Sequence, residues 1–162
     1  MWQPDQARVL ESAKGQTVAA VGQILYAHNG VVNYSDCMLQ LTMEDSSIVL
    51  LSGGSDGASL RVSDKLWIDP FSEPLSKENQ AFVCTSGKWT FFDMSAQEGM
   101  AALVGARLHA ARPIRDETST IRGVQLHVGT ERLNYVVEGD EGFLIWGQGR
   151  DELGPLGFFI VA

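Results

Sequence analysis

An internal repeat is the most informative feature of the chain. Residues 21–60 return in altered form at residues 104–145; the first copy reads VGQILYAHNGVVNYSDCMLQLTMEDSSIVLLSGGSDGASL. Three matches define the repeat. Val21-Gly22, with Leu25 and Ala27, returns as Val104-Gly105, with Leu108 and Ala110. Gln40-Leu41 returns as Gln125-Leu126, and the turn Gly54-Ser55-Asp56-Gly57 returns as Gly139-Asp140-Glu141-Gly142. The first match is offset by 83 residues and the other two by 85. The slip coincides with a longer loop in the second copy, Arg112 to Thr120, and loops lengthen at little free-energy cost. The sequence therefore predicts a tandem duplication of one structural unit.

Each copy has the hydrophobic pattern of four short strands joined by tight turns. In the first copy the strands are predicted at 19–28, 37–43, 48–51 and 59–68, and in the second at 106–111, 124–128, 133–137 and 143–146. Leu39, Leu41 and Met43 alternate with polar residues, as on a strand with one buried face. Turns of this length join antiparallel neighbours, so each copy is predicted to be a four-stranded meander.

A short helix is predicted before each copy. Residues 5–13 follow Pro4 and precede Gly15, which are helix start and stop signals. Residues 95–103 open with Ser95 and Glu98 at capping-box spacing. Between the copies, residues 70–98 are predicted to form a loop and then a hairpin, with strands 82–85 and 88–93 around Ser86-Gly87, and residues 158–161 are predicted to form a closing strand.

These patterns predict a single domain, residues 1–162, with internal repeats at approximately 16–69 and 99–147. The fold class is mainly antiparallel β, either all-β or α+β. A lone meander would leave one apolar face in water, so the two copies are expected to pack together with pseudo-twofold symmetry. A sandwich and a barrel satisfy this requirement equally well.

The composition excludes several classes of function. The chain has 44% hydrophobic residues and a net charge of −8, which opposes binding to nucleic acid or to an anionic membrane. Its first residues have neither the basic region nor the apolar region of a secretory signal, so we expect a cytoplasmic protein. Cys37 and Cys84 have no metal-ligand or redox spacing and are expected to be reduced.

The repeated glycine-rich turns are acidic and are the first candidate site. They contain Asp56 in the first copy and Glu138, Asp140 and Glu141 in the second. Carboxylates on such turns bind a basic protein or a hard cation. Glycine beside aspartate is also the usual chemistry of a tight turn, so a purely structural role stays open.

Histidines of the second copy are the other candidate. His109 and His127 are predicted to meet on one sheet face, opposite the apolar positions, as the start of a ligand or metal site. The corresponding residues of the first copy are Tyr26 and Thr42, and the sequence specifies no third ligand. An exposed, structurally neutral pair is the alternative.

The sequence contains no catalytic signature and predicts no cofactor. Gly53 to Gly57 fits Gly-x-Ser-x-Gly formally, but a strand follows where a nucleophile elbow requires a helix. We therefore expect a non-enzymatic protein-binding module, such as an immunity or inhibitor protein that neutralises a basic toxin or enzyme. The alternative is a small-molecule or metal-dependent enzyme with its site between the two repeats.

Overall fold

Ten β-strands and three α-helices make up the structure, a computed structural model that describes residues 1–162. The helices are α1 (Pro4–Ala13), α2 (Lys77–Ser86) and α3 (Arg150–Leu153). The strands are β1 (Val18–His28), β2 (Val31–Met43), β3 (Ile48–Gly53), β4 (Leu60–Ser63), β5 (Lys88–Asp93), β6 (Leu108–Arg115), β7 (Ile121–Val128), β8 (Glu131–Glu138), β9 (Glu141–Trp146) and β10 (Phe159–Ile160). None of the helices has the length and apolar character needed to cross a membrane.

The strands form two antiparallel sheets of five strands each. Sheet 1 has the order β4-β3-β2-β1-β5 and sheet 2 the order β10-β6-β7-β8-β9. In both sheets four consecutive strands form a meander, and a fifth strand lies beside the first of the four. The pairing register also breaks between Val18 and Ala20 in β1 and between Leu108 and Ala110 in β6. These breaks lie 90 residues apart, so Leu108 corresponds in the sheets to Val18 and not to Leu25, with which the sequence repeat aligned it. The predicted mainly antiparallel β fold is confirmed.

A single large core lies between the sheets. It contains 25 buried residues drawn from both sheets, from α1 and from the segment 94–103 between β5 and β6. Leu39 and Leu41 of β2 are fully buried in it, as are Val124 and Leu126 of β7, so the alternation in the sequence identified the inner faces correctly. Burying one such side chain stabilises the fold by roughly 1.5–3 kcal/mol, which makes this shared core the main force that holds the sheets together.

The two sheets are joined at the start of β1 and β6 by a short antiparallel contact. The amide of Val18 donates to the carbonyl of Ala106 at 2.8 Å, and the amide of Gly105 donates back to the carbonyl of Val18 at 2.8 Å. A bridge between Thr17 and Arg107 continues this pairing. Main-chain hydrogen bonds therefore link the two halves of the chain at this end of the core.

A second junction forms where β2 crosses β9. The hydroxyl of Tyr135, which is fully buried, donates to the carbonyl of Cys37 at 2.7 Å. The amide of Gly142 donates to Oδ1 of Asp36 at 2.9 Å. A Cβ atom at Gly142 would lie 2.1 Å from Oη of Tyr135 and 2.6 Å from the Cys37 carbonyl oxygen, so only glycine fits at this crossing.

The predicted hairpin around Ser86-Gly87 is wrong, because residues 77–86 form α2 and β5 pairs with β1 instead. Oγ of Ser76 accepts a hydrogen bond from the amide of Asn79 at 3.1 Å and caps the helix. Phe71 stacks on Phe82 of the helix with ring centroids 5.4 Å apart. A short apolar run such as residues 82–85 fits a strand or a helix equally well, and here the cap and the stacking favour the helix.

The helix predicted at 95–103 is reduced to a 3₁₀ turn at Met100–Ala102. Oγ of Ser95 accepts from the amide of Val21 at 3.0 Å, so it ties this segment to β1 and does not cap a helix. Oδ1 of Asp93 accepts from the amide of Ser95 at 3.0 Å and favours a turn there. These two contacts explain why the capping-box spacing did not produce a helix.

Several strand boundaries also differ from the prediction. β2 begins at Val31, six residues before the predicted start at Cys37, and Val31, Val32 and Asn33 already pair with β1. β4 ends at Ser63, because the chain then leaves the sheet and the amide of Trp67 donates to Oε1 of Gln40 at 2.9 Å. β6 continues to Arg115, so the loop predicted at 112–120 spans only residues 116–120. The segment that follows β4 thus covers the outer face of sheet 1, which the sequence pattern treated as exposed.

Candidate functional site

The two acidic turns lie against each other. The amide of Asp140 donates to the carbonyl of Gly57 at 2.9 Å. A Cβ atom at Gly57 would lie 1.6 Å from Oδ1 of Asp140, and Gly57 has a φ of 67°. Both facts require glycine at this position. The fold therefore gathers four exposed carboxylates on one edge of the molecule: Asp56, Glu138, Asp140 and Glu141, here called the acidic edge.

Asp56 organises its own turn. Its Oδ1 accepts hydrogen bonds from the amides of Ser59 and Ala58, at 2.8 and 2.9 Å, and from the Ser59 hydroxyl at 2.9 Å. The bond from the Ser59 amide is the largest of the effects that lower the pKa of Asp56 below its usual range. Asp56 is therefore ionised at neutral pH, and it presents a negative charge while it shapes the turn.

The other three carboxylates form the tip of the β8–β9 hairpin. Glu138 and Glu141 face each other as a cross-strand pair, although like charges in that position repel each other. Asp140 adopts a positive φ of 67°, which is uncommon for residues other than glycine. None of the four carboxylates of the acidic edge takes part in any of the four ion pairs in the structure. Their charge is not neutralised within the chain.

Arg122 links the first acidic turn to Asp116, and these two residues are here called the Asp116–Arg122 brace. Its Nε lies 2.7 Å from Oδ2 of Asp116, and its Nη1 donates to the carbonyl of Ala58 at 3.0 Å, in the turn shaped by Asp56. The guanidinium also lies 5.3 Å from the ring centroid of Phe158, within range of a cation–π contact. One side chain of β7 thus links the 116–120 loop, the first acidic turn and the C-terminal segment.

Asp116 holds Arg122 in this position through a carboxylate that is itself fixed by several hydrogen bonds. Its carboxylate accepts hydrogen bonds from the amides of Thr118 and Thr120, from the Thr118 hydroxyl and from Arg122. Burial by itself raises the pKa of this carboxyl. The hydrogen bonds from the Thr118 hydroxyl, from Arg122 and from the two amides outweigh that effect and lower the pKa from 3.8 to about 2. The ionised form is therefore the one that the fold stabilises.

We expect Asp116 to make the fold sensitive to acid. A carboxyl whose pKa is lower in the folded state stabilises the fold above the unfolded pKa of 3.8, and that stabilisation is lost as the pH falls towards about 2. The expected contribution at neutral pH is about 2 kcal/mol. Urea unfolding of the wild type and of Asp116→Asn, measured from pH 7 to pH 2, should show the two stabilities converging below pH 4. A constant difference across that range would contradict this assignment.

The predicted histidine pair lies on the outer face of sheet 2, away from the core. His127 contacts Gln125, with its Nε2 2.9 Å from Oε1, while His109 is exposed. Burial, followed by the charges of Arg112, Arg132 and His109, lowers the pKa of His127. The third histidine, His28, lies on sheet 1. Nowhere does the structure bring together three or more His, Cys, Asp or Glu side chains in a group that could hold a metal ion.

A buried polar network beneath His127 was not predicted. Gln125 and Asn134 are 2% and 0% exposed, and Nε2 of Gln125 donates to Oδ1 of Asn134 at 3.0 Å and to the carbonyl of Gln148 at 3.2 Å. Nδ2 of Asn134 donates to the carbonyls of Ile145 and Gly147. The repeat contained the sequence signal for this network. Gln40 of the first copy and Gln125 of the second are matched residues, and each forms a hydrogen bond with the segment that follows the fourth strand of its own meander.

The Asp116–Arg122 brace was also missed, although the sequence contained part of its signal. Asp116 followed by Thr118 is the spacing of an Asx turn, in which the aspartate side chain binds the amide two residues later. Arg122 carries no such local signal. Its partner Ala58 lies 64 residues away in the sequence, so only the packing of the two sheets brings them together.

Comparison of the chain with protein-family models, with curated proteins and with solved structures finds no match. Function is therefore inferred from the chemistry of the chain's own residues. The acidic edge offers four exposed carboxylates that have no ion-pair partner within the chain. On the histidine face, Nε2 of His127 contacts Gln125, whereas His109 is exposed.

Proposed function

We propose that this protein is a non-enzymatic binding module that docks a basic protein through the acidic edge. In its concrete form it is an immunity or inhibitor protein that neutralises a basic toxin or enzyme. The hydrogen bond from Asp140 to Gly57 carries the proposal, because it joins carboxylates from both halves of the chain into one surface. An acidic surface attracts a basic partner over long range and fixes its orientation in the encounter.

One feature of the acidic edge supports a role beyond turn formation. The Glu138–Glu141 pair opposes like charges, which costs stability. The hydrogen bond from Arg122 to Ala58 braces the first turn, so the carboxylates are ordered before binding. Preorganisation of this kind lowers the entropic cost of association.

The net charge of the whole chain also favours a basic partner. A net charge of −8 raises the rate of encounter with a basic partner and opposes encounter with nucleic acid. The edge provides the local contact, and the net charge provides the long-range attraction.

We also propose that the two five-stranded units arose by tandem duplication and pack with pseudo-twofold symmetry. Their matching strand order, the register breaks that follow Val18 and Leu108, and the reciprocal bonds of Val18 with residues 105–106 support this. As sequences of relatives accumulate, profiles built separately from residues 16–69 and 99–147 should align with each other. Profiles that align no better than shuffled ones would refute the duplication.

Charge reversal at the acidic edge should slow association with the partner. The variant is Glu138→Lys with Glu141→Lys, which leaves Asp140 to support the positive φ of the turn. We expect the association rate, measured by stopped-flow fluorescence with a partner purified from the source cells, to fall about tenfold or more at low salt. The dependence of the rate on salt should also become flatter.

The matched control is Asp151→Lys with Glu152→Lys, an exposed acidic pair that lies outside the acidic edge. It changes the net charge by the same amount, so it isolates position from total charge. We expect the control to lower the rate much less than the edge variant. Two results would count against docking through this edge: an equal decrease in association rate for both variants, or an edge variant that associates with the purified partner as fast as the wild type does.

A further inference from the structure

A cavity on the outer face of sheet 2 combines two arginines with an apolar wall. It has a volume of about 390 Å³ and lies between the β6–β7 pair and the segment that follows β9. Its lining includes Arg112, Arg150 and the buried Gln125, and Leu153, Phe158 and Ile160 contribute apolar surface. This cavity is separate from the acidic edge, since it contains none of the four edge carboxylates.

The strand register explains why these groups lie together. Arg112 pairs with Gln125, and Gln125 pairs with Asn134, so the three side chains form one row across the outer face of the sheet. The next row contains His127 and Arg132. The hydrogen bond from Gln125 to Gln148 holds the C-terminal segment over the first row, which creates a concave space where an open sheet face would be flat.

The arginines of the cavity have no partner of opposite charge. Neither Arg112 nor Arg150 belongs to any of the four ion pairs in the structure, although both are in a chain with a net charge of −8. Arg132 adds a further positive charge in the next row, opposite His127. Asp151 and Glu152 are exposed nearby in the sequence, but neither lines the cavity, although the last residue, Ala162, does. Arg112 and Arg150 are therefore the only charged side chains in the lining.

The apolar wall limits the kind of anion that fits. Leu153 and Phe158 are buried in a second hydrophobic cluster with Ile114, Val136 and Ile145, so the wall is fixed in place by packing. Phe159, which is 50% exposed, extends the apolar surface to the rim of the cavity. A small inorganic anion would leave this surface in contact with water, whereas a ligand with an apolar tail would cover it.

We propose that this cavity binds a small carboxylic acid with an aliphatic or aryl tail. The carboxylate accepts hydrogen bonds from the planar guanidinium groups of Arg112 and Arg150, and the tail packs on Leu153, Phe158 and Phe159. Guanidinium groups suit this role because their donors match the two oxygens of a carboxylate. The volume is near the lower end of the range for ligand cavities, which favours a ligand of about the size of octanoate. This proposal does not depend on the docking of a basic protein.

The test uses octanoate, below its micelle concentration, as the probe for calorimetry and for amide chemical-shift titration of the full chain. We expect octanoate to bind and to shift amide signals of residues 112, 125 and 148–160. Acetate supplies the charge without the tail, octanamide supplies the tail without the charge, and inorganic phosphate supplies a different anion. Each of these three should bind at least about tenfold more weakly than octanoate.

Substitutions separate the contributions of charge and tail. Arg112→Gln and Arg150→Gln should each weaken octanoate binding about tenfold, and Phe159→Ala should weaken it to a smaller extent. Arg107→Gln, an exposed arginine outside the cavity, is the matched control and should leave binding unchanged. The proposal fails if octanoate does not bind at millimolar concentration, or if both cavity arginines can be replaced without effect. It also fails if octanamide or phosphate binds as tightly as octanoate.

Discussion

Replacing Arg122 by methionine is expected to lower the free energy of unfolding by about 3 kcal/mol. Methionine keeps much of the apolar volume of the side chain but removes the charge and every donor. Asp116, whose side chain is 11% exposed, would then lose its only cationic partner, and the carbonyl of Ala58 would lose its donor. Breaking one side of a buried pair costs more than the pair itself contributes, because the remaining charge stays desolvated.

Urea unfolding measures this effect, and Arg8→Met provides the comparison. Arg8 pairs with Asp64 at 3.0 Å, but the two side chains are 60% and 38% exposed. Surface pairs of this kind contribute about 0–1 kcal/mol, so the control should change the midpoint only slightly. Similar losses for the two variants, with unchanged denaturant slopes, would show that Arg122 does not brace the two halves.

Arg122→Lys refines the first prediction. Lysine keeps the positive charge beside Asp116, but its single ammonium group does not reproduce the planar fork that reaches both Asp116 and Ala58. We expect this variant to lose about 1–2 kcal/mol, between the wild type and Arg122→Met. Full recovery of stability with lysine would mean that charge alone matters at this position.

Replacing Gly142 by alanine is expected to destabilise the fold by about 2–3 kcal/mol. The added methyl group would lie 2.1 Å from Oη of Tyr135 and 2.6 Å from the carbonyl oxygen of Cys37. Those two atoms form a hydrogen bond of 2.7 Å with each other, so the methyl group would separate a buried donor from its acceptor. The loss therefore combines overpacking with an unsatisfied buried polar group.

Gly53→Ala is the matched control for Gly142→Ala. Gly53 also lies on a strand, and a Cβ built there would meet only Cγ1 of Val137, at the ordinary contact distance of 3.4 Å. The same change should therefore be nearly neutral at Gly53, since alanine also restricts the unfolded chain. Thermal and urea unfolding of both variants test this contrast. A Gly142→Ala protein as stable as the wild type would mean that β2 and β9 do not cross as closely as described.

The stability experiments also bear on the proposed function. Arg122 holds the carbonyl of Ala58 in the first acidic turn, so Arg122→Lys should loosen the acidic edge without changing its charge. We expect this variant to keep the salt dependence of partner association while its complex dissociates faster. That combination would distinguish ordering of the edge from its charge, since long-range attraction mainly sets the association rate.

Strand positions in the two meanders were predictable because alternation reports burial directly. Leu39 and Leu41, like Val124 and Leu126, alternate with polar residues and face the core. Gln40 and Gln125 were assigned correctly to the other face but are buried there, at 3% and 2% exposed. Alternation separates the two faces of a strand, but it does not reveal that a distant segment covers the second face.

The segment between the meanders was predicted less well because its structure depends on tertiary contacts. Residues 82–85 have no strong local preference, and stacking of Phe71 on Phe82 favours the helix. Ser95 matches a helix cap locally, yet its hydroxyl binds the amide of Val21, 74 residues away. Local propensity is weak compared with such contacts, so tertiary structure overrides it.

The antiparallel strands, the residues that face the core and the two acidic turns follow from local patterns, because periodicity and turn chemistry are properties of short segments. Tertiary packing brings those turns together at Asp140 and Gly57, places Arg122 against the first of them, and puts Arg112 and Arg150 in one cavity. Each of these arrangements joins residues that are far apart in the chain. They depend on how the sheets pack and on which loops cover them, which no local pattern specifies.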